Sequence, residues 1–272
     1  MKELKYFKTS GIPSITAAIA GICKVEWTYI DKVVPVEEVV RVMSETRFDI
    51  LPVREPDGSF IYFYKTNKWG NYQTQNIEIH KISDFLPMYY LTNIQDVVAM
   101  FAQKKHNFFF LDNLTEVIGL ITISSLNCQY VYTYIYNQIV QLEHALAAYI
   151  YQNRISEDEV IIIFSKRLDS ENSLEAISRF EMDKSKGTDR PFLEYLYLVD
   201  LFYIFKKFHL VEKIGISDNK YKKAIKKINK IRNTVAHPTK SLIQNEKSIS
   251  ELNEGLISID ELMDKLTPDN VV

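Results

Sequence analysis

The residue types best suited to chemistry lie close together at the end of a lysine-rich segment. Arg232, Asn233 and His237 fall in the stretch Arg-Asn-Thr-Val-Ala-His-Pro at 232–238. Cleavage of RNA through its own 2′-hydroxyl needs a group that deprotonates that hydroxyl and a group that protonates the leaving 5′-oxygen. An imidazole can act at either end. A guanidinium can bind two phosphorane oxygens as negative charge develops. An Arg/His pair therefore suffices in principle to cut a phosphodiester without a metal.

The angle between these side chains depends on where their helix ends. On an unbroken helix, five residues at about 100° each would place Arg232 and His237 about 140° apart. The residue before a proline is disfavoured in the helical region, so Pro238 predicts that the helix ends at or near His237. Asn233 precedes His237 by four residues, and this spacing predicts that Asn233 orients the imidazole.

A cluster of positive charge surrounds the motif. Because the net charge is −2, any attraction to nucleic acid must be local. Between residues 218 and 240, Asp218 is the only acid against the bases Lys220, Lys222, Lys223, Lys226, Lys227, Lys230, Arg232 and Lys240. The cluster predicts contacts with an RNA backbone through Lys223, Lys226, Lys227 and Lys230. The alternative is a solvated helix face, where lysines are common.

Structural roles are the alternatives for the charged residues of the candidate site. An Arg and a His at a helix end can serve as an ion pair or a C-terminal cap. Glu143 and Asp200 are secondary site candidates. Because a buried acid is costly unless it is paired, one interpretation has Asp200 satisfied by an Arg or Tyr. The other interpretation has Glu143 and Asp200 holding Arg232 or His237 in position.

Length and composition set the class of protein. With 272 residues, the chain can form two domains with ordinary cores. Its 46% hydrophobic and 25% charged residues are typical of soluble globular proteins. Two cysteines, Cys23 and Cys128, exclude a disulfide scaffold, and the five histidines lack close ligand spacing. We therefore expect no structural metal, no membrane segment and a cytoplasmic location.

The first half contains a diverged internal repeat. In each copy a segment with helical apolar spacing is followed by a short strand, a turn and a second strand. These segments are 36–43, 49–53, 56–58 and 60–64 in the first copy and 93–101, 107–111, 112–113 and 117–122 in the second. The interval of about 58 residues predicts two α/β modules packed as a pseudo-symmetric pair.

The pattern changes near residue 128, where strand signals end and helical periodicity begins. Helices are predicted over 130–152, 192–205, 220–235 and 248–266, with Ser217 as the N-cap of the third and a partly helical connector at 156–190. Their simplest arrangement is a helical bundle.

The first half resembles a tandem CBS-domain pair over roughly residues 15–127. The most specific match is Gly119-Leu-Ile-Thr-Ile-Ser-Ser125, which resembles the closing strand of that family. The resemblance implies an adenosine-type nucleotide as ligand, with Thr122 contacting phosphate. Ser125 stands where the family has an Asp for the ribose, and a neutral hydroxyl is a weaker acceptor. Gly119, Thr122 and Ser125 are therefore nucleotide-binding candidates.

The first copy departs further from that pattern. Tyr62 stands where the second copy has Gly119, and Lys65 stands where it has Thr122. The alternative for the whole module is a pair kept for packing or dimerisation, because polar partners for a buried ligand are missing.

Residues 128–272 resemble a HEPN domain through the Arg-Asn-x-x-x-His motif and its late position among helices. The resemblance implies a metal-independent ribonuclease of toxin, antiphage or RNA-processing systems, with no catalytic cofactor. It also implies a site at a two-fold interface, and hence a homodimer. We therefore expect an α+β protein in which a CBS pair, 1–127, precedes a HEPN-like bundle, 128–272.

The leading functional hypothesis is an endoribonuclease regulated by an adenosine-type nucleotide bound to the CBS pair. The alternative is a non-catalytic nucleotide sensor or RNA-binding adaptor whose helical domain mediates dimerisation. In a third hypothesis, Arg232 and His237 bind a nucleotide and not RNA.

Overall fold

The computed structural model describes residues 15–68, 70–104, 107–166, 171–237, 239, 241–244 and 246–266. Pro238 and Lys240, which entered the predictions above, lie outside the described residues. The chain divides into two compact units between Tyr130 and Val131. The domain bounds 1–127 and 128–272 stay a prediction. The predicted fold class, α+β with paired α/β modules before an all-helical region, is confirmed.

The N-terminal unit contains two four-stranded sheets, each built on one copy of the repeat. The chain enters through α1 (Ala17–Ala20) and β1 (Ile22–Cys23). The first copy comprises β2 (Ile30–Asp31), α2 (Val36–Thr46), β3 (Ile50–Arg54), β4 (Phe60–Thr66) and β5 (Ile77–Lys81). The second comprises β6 (Met88–Tyr89), α3 (Ile94–Lys104), β7 (Phe108–Asp112) and β8 (Val117–Thr122). The strand orders are β2-β3-β4-β5 and β1-β8-β7-β6.

The two sheets share one plan. In each, a two-residue strand lies parallel to the first long strand, which pairs antiparallel with the second. The register shifts at corresponding points, between Val53 and Arg54 in one sheet and between Leu111 and Asp112 in the other. The predicted repeat is therefore confirmed. The short strands β1, β2 and β6 and the fourth strand β5 were not predicted from the sequence.

Aromatic side chains from both sheets form one core of this unit. Phe63 of β4 is fully buried, and its ring centroid lies 5.5 Å from that of Phe108 and 5.1 Å from that of Phe110, both on β7. Trp27 and Phe85 pack into the same cluster. The edge-to-face geometry of these pairs adds to the burial of their large apolar surfaces.

The C-terminal unit is helical throughout its described part. Its helices are α4 (Gln129–Gln152), α5 (Glu157–Ser165), α6 (Glu171–Ser185), α7 (Leu198–Lys207), α8 (Leu210–Lys213), α9 (Asp218–Val235) and α10 (Glu246–Leu266). On α10 the buried stripe is Ile249, Leu252, Leu256, Ile259, Leu262 and Leu266. The predicted helices are confirmed, apart from the second.

The single helix predicted over 192–205 is wrong. The structure has a short 3-10 helix, Phe192–Tyr195, and a separate helix α7 that begins at Leu198. Between them Tyr197 is extended, and its backbone N–H donates to Asp200 Oδ2 at 3.1 Å. An acid three residues after the N-cap favours a helix start. The break was not predicted because apolar residues continue through it, and apolar spacing indicates which residues are buried but not where a helix is interrupted.

Helices α9 and α10 approach closely at Gly255. A Cβ atom at this position would lie 2.3 Å from Cδ1 and 2.7 Å from Cγ1 of Ile231 on α9. Because Ile231 is itself buried, its side chain has little room to move aside. The lack of a side chain at Gly255 therefore allows α10 to pack closely against α9, the helix that ends in the Arg232 motif.

Gly255→Ala is expected to lower the free energy of unfolding by about 1–3 kcal/mol through overpacking, although Ala ordinarily favours a helix by about 1 kcal/mol over Gly. Urea denaturation followed by far-UV circular dichroism measures the change. In an Ile231→Ala background the same substitution should cost less, because the clashing atoms are gone. An equal cost in both backgrounds would show that this contact is not the cause.

Candidate functional site

Helix α9 carries the candidate motif on its last turn. It begins at Ser217, whose Oγ accepts a hydrogen bond from the Lys220 backbone N–H at 3.4 Å, as predicted. One face buries Tyr221, Ala224, Ile228, Ile231 and Val235. The last helical residue is Val235, and the His237 N–H donates to the Thr234 carbonyl at 3.2 Å in a tighter turn. The predicted helix end near His237 is confirmed.

The motif residues differ in exposure. Asn233 and His237 are exposed, whereas Arg232 is half-buried. The guanidinium Nη1 of Arg232 donates to Asn233 Oδ1 at 3.3 Å. The sequence predicted that Asn233 orients His237, but the hydrogen bond that its side-chain oxygen accepts comes from Arg232. The amide therefore restrains the guanidinium, while the imidazole lies open to solvent just beyond the helix end.

Glu143 of α4 is close enough to Arg232 for the carboxyl group and the guanidinium to interact electrostatically. Burial raises the pKa of the Glu143 carboxyl above its ordinary value, while the positive charge of Arg232 and a hydrogen bond to the backbone of Leu198 act in the opposite direction. Leu198 is the first residue of α7. Glu143 thus hydrogen-bonds to the start of α7 and lies within electrostatic range of the guanidinium on α9. A role for Glu143 in positioning Arg232 stays a prediction.

Asp200 has a structural contact instead. It is buried, and its carboxylate accepts the Tyr197 N–H at the start of α7. This hydrogen bond comes from the backbone, and the predicted pairing of Asp200 with an Arg or Tyr side chain stays a prediction. Capping of α7 accounts for an acid within this apolar segment, since a carboxylate is favourable at a helix N-terminus.

Two of the four lysines predicted to contact RNA form ion pairs with α10. Lys227 Nζ lies 3.2 Å from Glu254 Oε2, and Lys230 Nζ lies 2.5 Å from Glu251 Oε1. Exposed ion pairs of this kind contribute about 0–1 kcal/mol each, so a phosphate can still compete for the ammonium groups. The positive field of α9 is nevertheless partly neutralised along its boundary with α10.

The other two lysines, Lys223 and Lys226, are exposed. Within the described residues neither makes an ion pair. The acids that neutralise their neighbours were missed at the sequence level, although Glu251, Glu254 and Glu261 have spacings that place them on one helix face. Only the side-by-side packing of α9 and α10 reveals that this face meets lysines.

The nucleotide-binding candidates lie where β8 ends. Thr122 Oγ1 accepts the Ser125 N–H at 3.2 Å, and Ser125 Oγ accepts the Thr122 N–H at 3.1 Å. The two hydroxyls are 3.0 Å apart and cap a short 3-10 helix, Ile123–Asn127. Gly119 serves strand packing, because a Cβ there would lie 2.9 Å from the Ile22 carbonyl oxygen on β1. The structure thus brings Thr122 and Ser125 together, whereas Gly119 lies earlier on the same strand, β8.

The corresponding position in the first copy is occupied differently. Lys65 Nζ lies 5.9 Å from the ring centroid of Phe85 and 5.7 Å from that of Phe108. A cation this close to aromatic faces is held by the ring quadrupoles. The ammonium group stands where the second copy presents the hydroxyl of Thr122, so the two copies offer a ligand different chemistry.

The described residues contain neither a group of metal-ligating side chains nor a membrane-spanning helix. Among residues 15–266, outside the gaps given above, no three His, Cys, Asp or Glu side chains are grouped so that they could hold a metal ion. In the same residues, no helix combines the length and the apolar character needed to cross a membrane.

Glu143→Gln is expected to gain stability relative to the wild type as pH rises. Because the pKa of Glu143 is raised in the folded protein, the folded state holds this proton more tightly than the unfolded chain does. Between about pH 4, where the unfolded carboxyl ionises, and the raised pKa, the wild type therefore loses stability that glutamine does not lose. Urea unfolding at pH 4 and pH 7 measures the difference.

The exposed Glu181→Gln on α6 is the matched control for loss of a negative charge in the same unit. A stability of Glu143→Gln, measured relative to the wild type, that stays constant or falls as pH rises would contradict the buried environment of Glu143.

Comparison with known proteins finds no matching family model and no matching curated protein. Solved structures with CBS domains are similar to the N-terminal part of the chain. A crystal structure of CBSX2 in complex with AMP has 12% identity and a TM-score of 0.32, covering 41% of this chain and 93% of its own. A CBS domain-containing protein from Bacillus anthracis has 11% identity and a TM-score of 0.32, covering 44% and 94%.

A hemolysin-like protein containing a CBS domain, from Oenococcus oeni, has 11% identity and a TM-score of 0.31, covering 42% of this chain and 88% of its own. Each of these similarities covers less than half of this chain.

Proposed function

We propose that the helical unit is a metal-independent endoribonuclease of the HEPN type. The observation that carries the proposal is the placement of Arg232. Its guanidinium hydrogen-bonds to Asn233 and lies near the carboxyl group of Glu143, at a helix end where Asn233 and His237 are exposed. A restrained cation and an accessible imidazole at the same helix end suit phosphodiester cleavage.

In the proposed reaction, His237 transfers a proton and Arg232 stabilises the charge on the phosphorane. The substrate 2′-oxygen attacks phosphorus, and its proton passes to an imidazole of His237. Arg232 binds phosphorane oxygens as their negative charge increases, and two donors in one fork hold them better than a single ammonium would. The bond from phosphorus to the 5′-oxygen then breaks, and that oxygen takes a proton. The products are a 2′,3′-cyclic phosphate and a 5′-hydroxyl.

A homodimer would supply both proton transfers at once. With two copies of the motif facing one another, one His237 accepts a proton while the other donates one. In each copy Glu143 and Asn233 keep the guanidinium oriented, so that little reorganisation is needed when substrate arrives. The exposed Lys223 and Lys226 supply phosphate contacts along the strand.

The test uses purified full-length protein and single-stranded RNA in the presence of EDTA. We expect cleavage with 2′,3′-cyclic phosphate ends, detected by mass spectrometry of the fragments. Intact RNA across a panel of sequences, or fragments with 3′-hydroxyl ends, would reject the nuclease and favour the adaptor hypothesis.

The N-terminal pair is proposed to bind an adenosine-type nucleotide that regulates the helical unit. The hydroxyls of Thr122 and Ser125 support this, since they lie 3.0 Å apart at the end of β8 and a phosphate oxygen can replace the contact between them. Calorimetry with AMP, ADP and ATP tests it. Thr122→Val should raise Kd about tenfold through loss of one hydrogen bond. Equal affinity in both proteins would place the nucleotide elsewhere.

A further inference from the structure

A groove of about 280 Å³ lies between the last turns of α9, the loop 241–244 and the first turns of α10. Its volume is close to the lower end of the range for small-molecule sites, about 300 Å³, so it can hold one small unit and not a long chain segment. The loop that forms one wall is tied down, because the Gln244 N–H donates to Ser248 Oγ at 2.8 Å.

The floor of the groove is apolar and its rim is polar. Ile231, Leu242 and Leu252 line it, and each is buried. Ser241 and Gln244 also line it and are exposed. Apolar side chains at the floor of a groove can pack against one face of a nucleobase. Hydroxyl and amide groups offer both donors and acceptors to the edge of a base or to a ribose.

The charges at the rim favour an anion. Among the described side chains, Lys230 and Lys247 line the groove together with one carboxylate, that of Glu251. Glu251 is neutralised by its ion pair with Lys230. Lys247 is exposed and, within the described residues, forms no ion pair. Its ammonium group is therefore available to a phosphate at the polar rim of the groove.

We propose that this groove binds one nucleotide unit, with the base on the Ile231–Leu242–Leu252 floor and the phosphate on Lys247. The site is distinct from Thr122 and Ser125 in the N-terminal unit. It is also distinct from the guanidinium of Arg232, because residues 230 and 234 each lie about 200° around α9 from residue 232. An occupant would nevertheless contact the last turn of the helix that carries the motif.

The unit has two possible sources, a free mononucleotide or one residue of an RNA strand that crosses the end of α9. Two probes separate them. One is 2-aminopurine riboside 5′-monophosphate, whose fluorescence reports transfer of the base out of water. The other is a short RNA with 2′-O-methyl groups at every position, which cannot be cleaved, and a single 2-aminopurine. Both are titrated into full-length protein.

Two variants and a control define the site. Lys247→Glu should raise Kd at least about tenfold by reversing one phosphate contact. Ser241→Trp should raise it at least as much by filling the groove from an exposed position. Lys265→Glu is the matched control, since Lys265 is exposed on the same helix and lies about 27 Å from Lys247 along its axis. It should stay within about twofold of the wild type. Circular dichroism establishes that each variant is folded.

Binding of the mononucleotide that both variants weaken supports a free nucleotide as occupant. Binding of the RNA probe alone, weakened in the same way, supports a strand of RNA. The proposal is overturned if neither probe binds, or if both variants bind like Lys265→Glu. If the wild type cleaves RNA but all variants bind the probes with equal affinity, the groove proposal is rejected and the proposed nuclease is not. If the probes bind in the groove but RNA is not cleaved, only the proposed nuclease is rejected.

Discussion

Replacing His237 with asparagine is expected to lower the rate of RNA cleavage by about 10²–10⁴-fold, the usual contribution of a general acid or base. Asparagine keeps a polar side chain at the exposed helix end but cannot carry a proton between oxygens. Because His237 is exposed and contributes little to the core, the variant should fold like the wild type. Single-turnover cleavage in EDTA measures the chemical step without product release.

His209→Asn is the matched control for this experiment. His209 lies in the same unit, and its side chain is 83% exposed. Its backbone has φ 56, a left-handed conformation that asparagine tolerates better than most residues do. The control should cleave at the wild-type rate. A His237→Asn protein that also retains that rate would remove the imidazole from the mechanism.

Phe63→Ala is expected to lower the free energy of unfolding of the N-terminal unit by about 3–5 kcal/mol. Phe63 is fully buried and contacts Phe108 and Phe110 from the second copy of the repeat. Its removal leaves a cavity at the place where the two α/β modules share a core. Since a domain is stable by only about 5–15 kcal/mol, this loss is a large part of the total.

Tryptophan fluorescence follows this transition selectively. The chain has two tryptophans, at positions 27 and 69, and both fall in the N-terminal unit. Trp27 packs against Phe110 in the same cluster. The control is Ile61→Ala on the same strand, which removes a side chain that is 47% exposed and should cost about 0.5 kcal/mol or less. Similar losses in both variants would contradict a shared aromatic core.

The secondary structure followed closely from local sequence. Apolar periodicity and turn residues predicted the two long strands and the helix of each repeat. This is because a buried face requires apolar residues at a regular spacing within one short segment. The strands β1, β2 and β6 escaped detection because each has only two residues. Such strands exist because a neighbouring strand supplies hydrogen bonds, and their own composition does not distinguish them from loops.

The candidate site was likewise predicted only in part from the sequence. Residue types and spacing identified Arg232, Asn233 and His237, and the proline rule placed the end of their helix. The contact of Arg232 with Asn233, its proximity to Glu143 and the ion pairs of Lys227 and Lys230 depend on packing between helices. None of these follows from spacing along one segment.

The sequence alone therefore determined the repeat, most of the helices and the chemical groups available at the end of α9. Tertiary structure alone decided which charges meet. It brought Glu143 within electrostatic range of Arg232, set acids of α10 against lysines of α9, and placed Asp200 at the start of α7 as a cap. The physical reason is that hydrophobic periodicity acts over one or two turns, whereas electrostatic partners are selected by the packing of segments far apart in the chain.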